Sequence, residues 1–208
     1  MMNLGLLIIL ISLFGSISNW LNWQYLNFTL VRFLYYIGTV VHELSHAILA
    51  ILTGAKVTEF KVFSNQPHIL HTKSKIPILG EILISIAPVI GGILFLFLIN
   101  KYLLGNSFVI PHFYSLQSLY EVPLNIISQI NFLSWKSWVM ILLFMNVGAM
   151  ISPSWKDLKN IWPAIIVLLF FSNSFLAYFC LLAIGLIIIN IIIQIALIII
   201  TKIFKLFV

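Results

Sequence analysis

Long apolar segments separated by short polar ones dominate this chain, and little of it alternates in the manner of a half-buried strand. Apolar residues prevail in segments 4–18, 28–53, 76–98, 138–151 and 161–208. A helix needs about 20 apolar residues to cross a bilayer. The last segment is long enough for two such helices, with residues 172–174 as the turn between them. The pattern predicts an all-α polytopic membrane protein with about six transmembrane helices.

The polar segments between these spans differ from one another. Segment 19–27 carries aromatic residues suited to the membrane interface and is expected to be a loop. Gly54 is typical of a helix end, and segment 57–63, which alternates and is rich in β-branched and aromatic residues, indicates a short strand or β-hairpin. An irregular surface loop fits that segment equally well. Segment 101–135 is aromatic and polar but carries little charge, so we expect it to lie along the interface.

Composition supports the membrane class and excludes several others. With 62% hydrophobic and 8% charged residues, the chain fits no class of soluble globular protein. Eleven basic residues outnumber five acidic ones, but no basic block with interleaved aromatic residues is present, so no nucleic-acid partner is predicted. Cys180 is the only cysteine, which excludes a disulfide framework and a cysteine-based zinc site.

The distribution of basic residues orients the predicted spans. Segments 55–75 and 152–160 and the C-terminal tail together contain Lys56, Lys61, Lys73, Lys75, Lys156, Lys159, Lys202 and Lys205. In a six-span chain these segments fall on one side, which the positive-inside rule assigns to the cytoplasm. Both termini are therefore expected in the cytoplasm, and the membrane is expected to be the plasma (inner) membrane.

One short motif stands out within the second apolar segment. Residues 42–46 read His-Glu-Leu-Ser-His, and the spacing places His42 and His46 on one helix face, with Glu43 about 100° round the axis. A charged group at the centre of a membrane helix costs about 2.5–3.5 kcal/mol, so ionisable residues there usually mark a site. The motif predicts a metal site, and its alternative is a histidine pair satisfied by neighbouring helices. The site is expected within the membrane, near the cytoplasmic side.

A catalytic zinc ion takes three protein ligands and keeps a fourth position open, so the two histidines need a partner. Asp157 is the only aspartate and is expected at the cytoplasmic end of the fourth span, where a helix-cap role is the alternative. Glu59 and Glu81 are the other candidates. His68 and His71 form a His-x-x-His pair that we expect to be solvated.

These residues together resemble the site-2 protease family of intramembrane zinc metalloproteases. The resemblance covers about residues 31–160 and rests on the His-Glu-Leu-Ser-His motif followed by Gly54 and a strand-like segment, with Asn146 and a Pro153…Asp157 segment about a hundred residues later. It implies one Zn²⁺ per chain, with ligands His42, His46 and Asp157. It also implies that Glu43 is the catalytic base and that Asn146 steadies the scissile carbonyl.

The resemblance implies a single transmembrane domain over 1–208, with a metalloprotease core at about 28–160 and additional helices at 4–18 and 161–206. The substrate would be a membrane protein with a transmembrane segment. Ser45 and Leu158 stand where the family commonly has glycine, which affects helix packing and the backbone around the aspartate. The chain is too short to add a PDZ or CBS module to this core.

Three functions are compatible with the motif. The first is hydrolysis of a peptide bond in or near a membrane span, in which Glu43 deprotonates a zinc-activated water. The second is a catalytically inactive or structural metal-binding scaffold. The third, a metal-ion transporter, would need polar residues along a path through the bilayer, and outside the motif the first, fifth and sixth spans offer almost none.

Overall fold

A computed structural model describes residues 3–25, 35–64, 67–109 and 118–207 of the chain. The described residues form seven helices and one two-stranded hairpin. In chain order these are α1 (Leu4–Tyr25), α2 (Tyr36–Leu52), β1 (Val57–Lys61), β2 (His68–His71), α3 (Leu79–Tyr102), α4 (Ser118–Ser128), α5 (Trp135–Met150), α6 (Trp155–Leu168) and α7 (Ser174–Phe207). The mostly helical fold and the hairpin after the motif helix are therefore confirmed.

The number of membrane spans is smaller among the described helices than the six predicted. By length and composition three of them, α1, α3 and α7, can cross a membrane. A fourth span is obtained if α5 and α6, which are bent by 70° at a short break, count as one. Helix α2 has only 17 residues, and the first part of its predicted span, 28–34, lies outside the described residues.

Two boundaries were predicted wrongly because polar residues were interpreted as helix ends. Helix α1 continues to Tyr25 through the expected loop 19–27, since Ser18 and Asn22 are buried against α7. Segment 152–160 is not a loop either, because α6 begins at Trp155. The turn near 172–174 is confirmed, and within segment 101–135 residues 118–128 form α4.

The hairpin pairs β1 with β2 in antiparallel fashion, with Val57 opposite His71 and Lys61 opposite His68. A register irregularity lies between Val57 and Glu59. Strand β1 ends at Lys61, two residues before the predicted end. The hairpin packs beside α2 and is joined to it by a short turn in which Gly54 has φ +82°, a conformation that favours glycine.

The first and last helices run parallel, which changes the predicted placement of the termini. The Leu4 N–H donates to the Phe171 carbonyl just before α7 begins, and Ser18, further along α1, contacts Asn190 and Gln194 further along α7. If both helices cross the membrane, the two ends of the chain lie on opposite sides. The expectation that both termini lie on one side does not agree with this packing.

Helix α2 lies between α3 and α5, and a glycine allows close approach of the helices at each of the two contacts. A Cβ atom on Gly38 of α2 would collide with the Asn146 carbonyl of α5, and one on Gly91 of α3 would collide with the Ser45 side chain of α2. Ser45 stands where the resembled family commonly has glycine, and here the neighbouring helix supplies the small residue. The close approach of α2 to both neighbours matters because their backbones reach its histidines.

A buried polar network joins α1 to α7. Gln194 Nε2 donates to Asn22 Oδ1 at 2.8 Å and to Ser18 Oγ at 3.1 Å, and Asn190 Nδ2 donates to Ser18 Oγ at 2.7 Å. Gln194 Nε2 also lies 3.4 Å from the hydroxyl of Tyr35, the residue before α2. The first and last helices therefore carry more polar groups than expected, and the amide nitrogens of Asn190 and Gln194 donate to α1 in the buried contact between the two helices.

We expect Gln194→Leu to destabilise the protein by about 1–2 kcal/mol, because it removes donors from a buried network while leaving Asn22 Oδ1 unpaired. Thr201→Val is the matched control, since Thr201 is an exposed polar residue of the same helix. Unfolding in detergent micelles, followed by circular dichroism, measures both variants. Equal stabilities of Gln194→Leu and Thr201→Val would contradict a stabilising role for the network.

Candidate metal centre

Two helices bring His42, His46 and Asp157 together. The histidines project from α2, and Asp157 lies in the first turn of α6. The Nε2 atoms of the two rings are 3.1 Å apart, and His46 Nε2 is 3.6 Å from Asp157 Oδ2. One ligand atom from each residue lies within 4.8 Å of the others. The three residues therefore form a group that can hold a metal ion.

Backbone carbonyls orient both rings. His42 Nδ1 lies 2.6 Å from the Met150 carbonyl at the end of α5, and His46 Nδ1 lies 2.7 Å from the Ile84 carbonyl of α3. A carbonyl oxygen only accepts, so Nδ1 carries the hydrogen in each ring. In a neutral imidazole the other nitrogen, Nε2, then bears the lone pair. Metal-ligating histidines commonly have this second hydrogen bond, which fixes the ring and its tautomer.

The resulting arrangement fits a metal ion. Two neutral rings in this tautomer direct lone pairs at each other across 3.1 Å, with no proton to place between them. Tetrahedral Zn²⁺ with bonds of about 2.0–2.1 Å would separate two ligand atoms by about 3.3 Å. The two separations that involve His46 Nε2, 3.1 and 3.6 Å, lie on either side of that value, and all three ligand atoms lie within 4.8 Å of one another. A cation shared by the two rings would relieve the repulsion between their lone pairs.

A capping box at the start of α6 holds Asp157. Its Oδ2 accepts from the Ser154 N–H at 2.8 Å and from the Ser154 hydroxyl at 2.6 Å, and its own N–H donates back to Ser154 Oγ at 3.3 Å. The sequence left a ligand role and a helix-cap role open as alternatives for Asp157. The structure shows the helix cap, and the same carboxylate faces His46 at 3.6 Å, within a group that can hold a metal ion.

Glu43 lies next to the metal group and is buried, with 9% of its surface exposed. Among the described residues its carboxylate has no hydrogen bond or ion pair, although Asp157 and Lys156 lie within electrostatic range. An unpaired carboxylate beside a metal group is available to accept a proton.

Asn146 lies on α5, one helical turn before Met150, and is buried. Its Nδ2 donates to the Leu142 carbonyl at 2.8 Å within its own helix, and its Oδ1 has no partner. Its one side-chain hydrogen bond is therefore not with the metal group. A role for Asn146 towards a substrate carbonyl stays a prediction.

The other candidate ligands are bonded elsewhere. A hydrogen bond from Lys61, together with His68 at 3.5 Å, lowers the pKa of the Glu59 carboxyl and keeps it within the hairpin. Glu81 Oε1 accepts from the Ser74 N–H at 2.9 Å. His71 Nδ1 lies 2.8 Å from the Thr72 carbonyl. None of these residues joins the metal group in the part of the chain that the structure describes.

Sequence reasoning missed the residues that orient the ligands. The carbonyls of Ile84 and Met150 carry no residue-type signal, because every residue has a carbonyl. The role of Ser154 had a visible signal, since Ser-x-x-Asp before an apolar segment is a pattern typical of a helix start.

Comparison with models of protein families, with curated proteins and with solved structures finds no match to this chain.

We expect Asp157→Asn to weaken Zn²⁺ binding, because it removes the negative charge from the group while preserving its shape. Glu59→Gln and Glu81→Gln are matched controls and should bind Zn²⁺ as the wild type does. Metal content after dialysis and competition with a chromophoric chelator measure the affinity. A loss in Glu59→Gln or Glu81→Gln, with none in Asp157→Asn, would assign the third ligand differently.

Removing the Ser154 hydroxyl should also weaken Zn²⁺ binding, by about 10–100-fold, as is typical when a partner of a metal ligand is lost. Ser154→Thr should retain most of the affinity, since threonine also forms capping boxes. Ser134→Ala is the control for loss of a serine hydroxyl before a helix, because Ser134 precedes α5 and its side chain makes no cap bond. The same competition assay applies. Equal affinities for Ser154→Ala and Ser134→Ala would argue against orientation of Asp157 by Ser154.

Proposed function

We propose that this chain is an intramembrane zinc metalloprotease of the site-2 protease type, which hydrolyses peptide bonds in or near transmembrane segments of membrane-protein substrates. The observation that carries the proposal is the convergence of two ring nitrogens and one carboxylate beside an unpaired glutamate. Two imidazoles and one carboxylate are a ligand set of catalytic zinc sites, which keep a fourth position for water.

The metal would supply a water of lowered pKa and a Lewis acid for the scissile carbonyl. The residues of the chain would bind the metal and transfer the protons. His42 and His46 keep their Nε2 lone pairs towards the site because their Nδ1 atoms are bonded to carbonyls. Glu43 accepts the proton of the attacking water and returns it to the leaving amine, so that the peptide bond is replaced by a carboxyl group and an amine.

Two further groups of the chain would act on the substrate. A helical substrate must unwind before its carbonyl can reach the site. An extended segment can pair with an edge of the β1–β2 hairpin beside α2 that has no strand partner among the described residues. Rotation of the Asn146 amide away from Leu142 would let it donate to the oxyanion.

The charge distribution supports an orientation in the membrane. Helix α2 runs parallel to α5, since Gly38 meets Asn146 and His42 meets Met150. Helix α5 in turn runs parallel to α7. Met140 of α5 and Leu186 of α7 line one cavity, and further along both helices Ile193 packs against the cluster that contains Met145 and Ala149. The hairpin lysines and the C-terminal lysines therefore lie towards one end, which we assign to the cytoplasm of a plasma (inner) membrane.

Glu43→Gln provides the test. Co-expression with a panel of single-span substrates should show cleavage by the wild type and a loss of at least about 100-fold in the variant, because the general base is removed. The variant should still bind Zn²⁺, and Glu121→Gln in α4 is the control for loss of a remote carboxylate. Equal cleavage by wild type and Glu43→Gln, or no cleavage by either with zinc bound, would favour the inactive scaffold.

A further inference from the structure

Pro88 lies inside α3, four residues after Ile84. In an α-helix the N–H of each residue donates to the carbonyl four residues earlier, and proline has no N–H. Pro88 therefore cannot bond the Ile84 carbonyl, and its ring also pushes that carbonyl away from the helix axis. The Ile84 carbonyl is the group that accepts from His46 Nδ1 at 2.7 Å.

The same relation occurs at the end of α5. Met150 is the last residue of that helix, and its carbonyl would take a hydrogen bond from the residue three or four positions later. The residue three positions later is Pro153, which has no N–H. The residue four positions later is Ser154, whose N–H donates to Asp157. The Met150 carbonyl instead accepts from His42 Nδ1 at 2.6 Å.

We propose that Pro88 and Pro153 are positioning residues of the metal centre, each of which withholds a backbone N–H so that one carbonyl is left for one histidine. The proposal rests on the metal site of the proposed function. A carbonyl without a partner is costly in an apolar interior, and an imidazole Nδ1–H satisfies it. The same bond fixes the tautomer in which Nε2 faces the metal.

The register of each proline supports the assignment. Successive carbonyls point about 100° apart around a helix, so a proline one position earlier or later would free a carbonyl on another face. Pro163 in α6 provides the contrast. The carbonyl four residues before it belongs to Lys159, and no histidine ring contacts that carbonyl among the hydrogen bonds of the described residues.

The test is Pro88→Ala in the full-length protein in detergent micelles. Alanine restores the N–H, which competes with His46 for the Ile84 carbonyl. We expect Zn²⁺ affinity to fall by about 10–100-fold. We expect the melting temperature of the metal-free protein to stay equal or rise, because alanine is far better than proline inside a helix. Pro163→Ala, at an exposed position, should leave the Zn²⁺ affinity unchanged.

A second readout needs no metal. In ¹⁵N spectra of the metal-free wild type, the His46 ring should be the tautomer protonated at Nδ1, and Pro88→Ala should shift it towards a mixture. If Pro88→Ala left the Zn²⁺ affinity and the His46 tautomer unchanged, the proposal would be overturned. A fall in both Zn²⁺ affinity and melting temperature would also overturn it, because it would indicate lost packing. If the wild type bound no Zn²⁺, the proposed function would be contradicted. The tautomer measurement would still test the role of Pro88.

Discussion

The site depends on two hydrogen bonds between imidazole rings and backbone carbonyls, His42 to Met150 and His46 to Ile84. In an apolar environment every backbone N–H and carbonyl needs a partner within the protein. These two bonds satisfy two carbonyls and fix two rings at the same time. They also require α2 to lie within reach of both α3 and α5, which the contacts of Gly38 and Gly91 allow.

Two separate clusters of buried polar groups lie next to α2. One is the metal group, and the other is the network of Ser18, Asn22, Asn190 and Gln194 between α1 and α7. The network approaches the motif helix at Tyr35, the residue before its first turn. Helix α7, which is bonded to α1, therefore contacts the residue before α2, the helix that carries the histidines. The packing of α1 against α7 thus helps to position the site.

Sequence alone predicted the parts of the site that depend on local spacing. His42, Glu43 and His46 follow from helical periodicity, whereas for the third ligand the sequence favoured Asp157 but left Glu59 and Glu81 open. The number of spans and the end of α1 could not be predicted in this way. Polar residues such as Asn22 look like a boundary in the sequence, whereas only the packing of α7 shows that they are buried. The parallel direction of α1 and α7 is likewise a long-range property.

Asp157 shows why a cap and a ligand need not be alternatives in a membrane protein. A helix start presents free N–H groups and the positive end of the helix dipole, both of which favour a carboxylate there. A helix end presents free carbonyls, which need donors. The break between α5 and α6 supplies both within a few residues, and the metal group uses both, through Asp157 and through Met150. A helix break in apolar surroundings is costly unless its free N–H and carbonyl groups are hydrogen-bonded. At this break the side chains of Asp157 and His42 form those bonds.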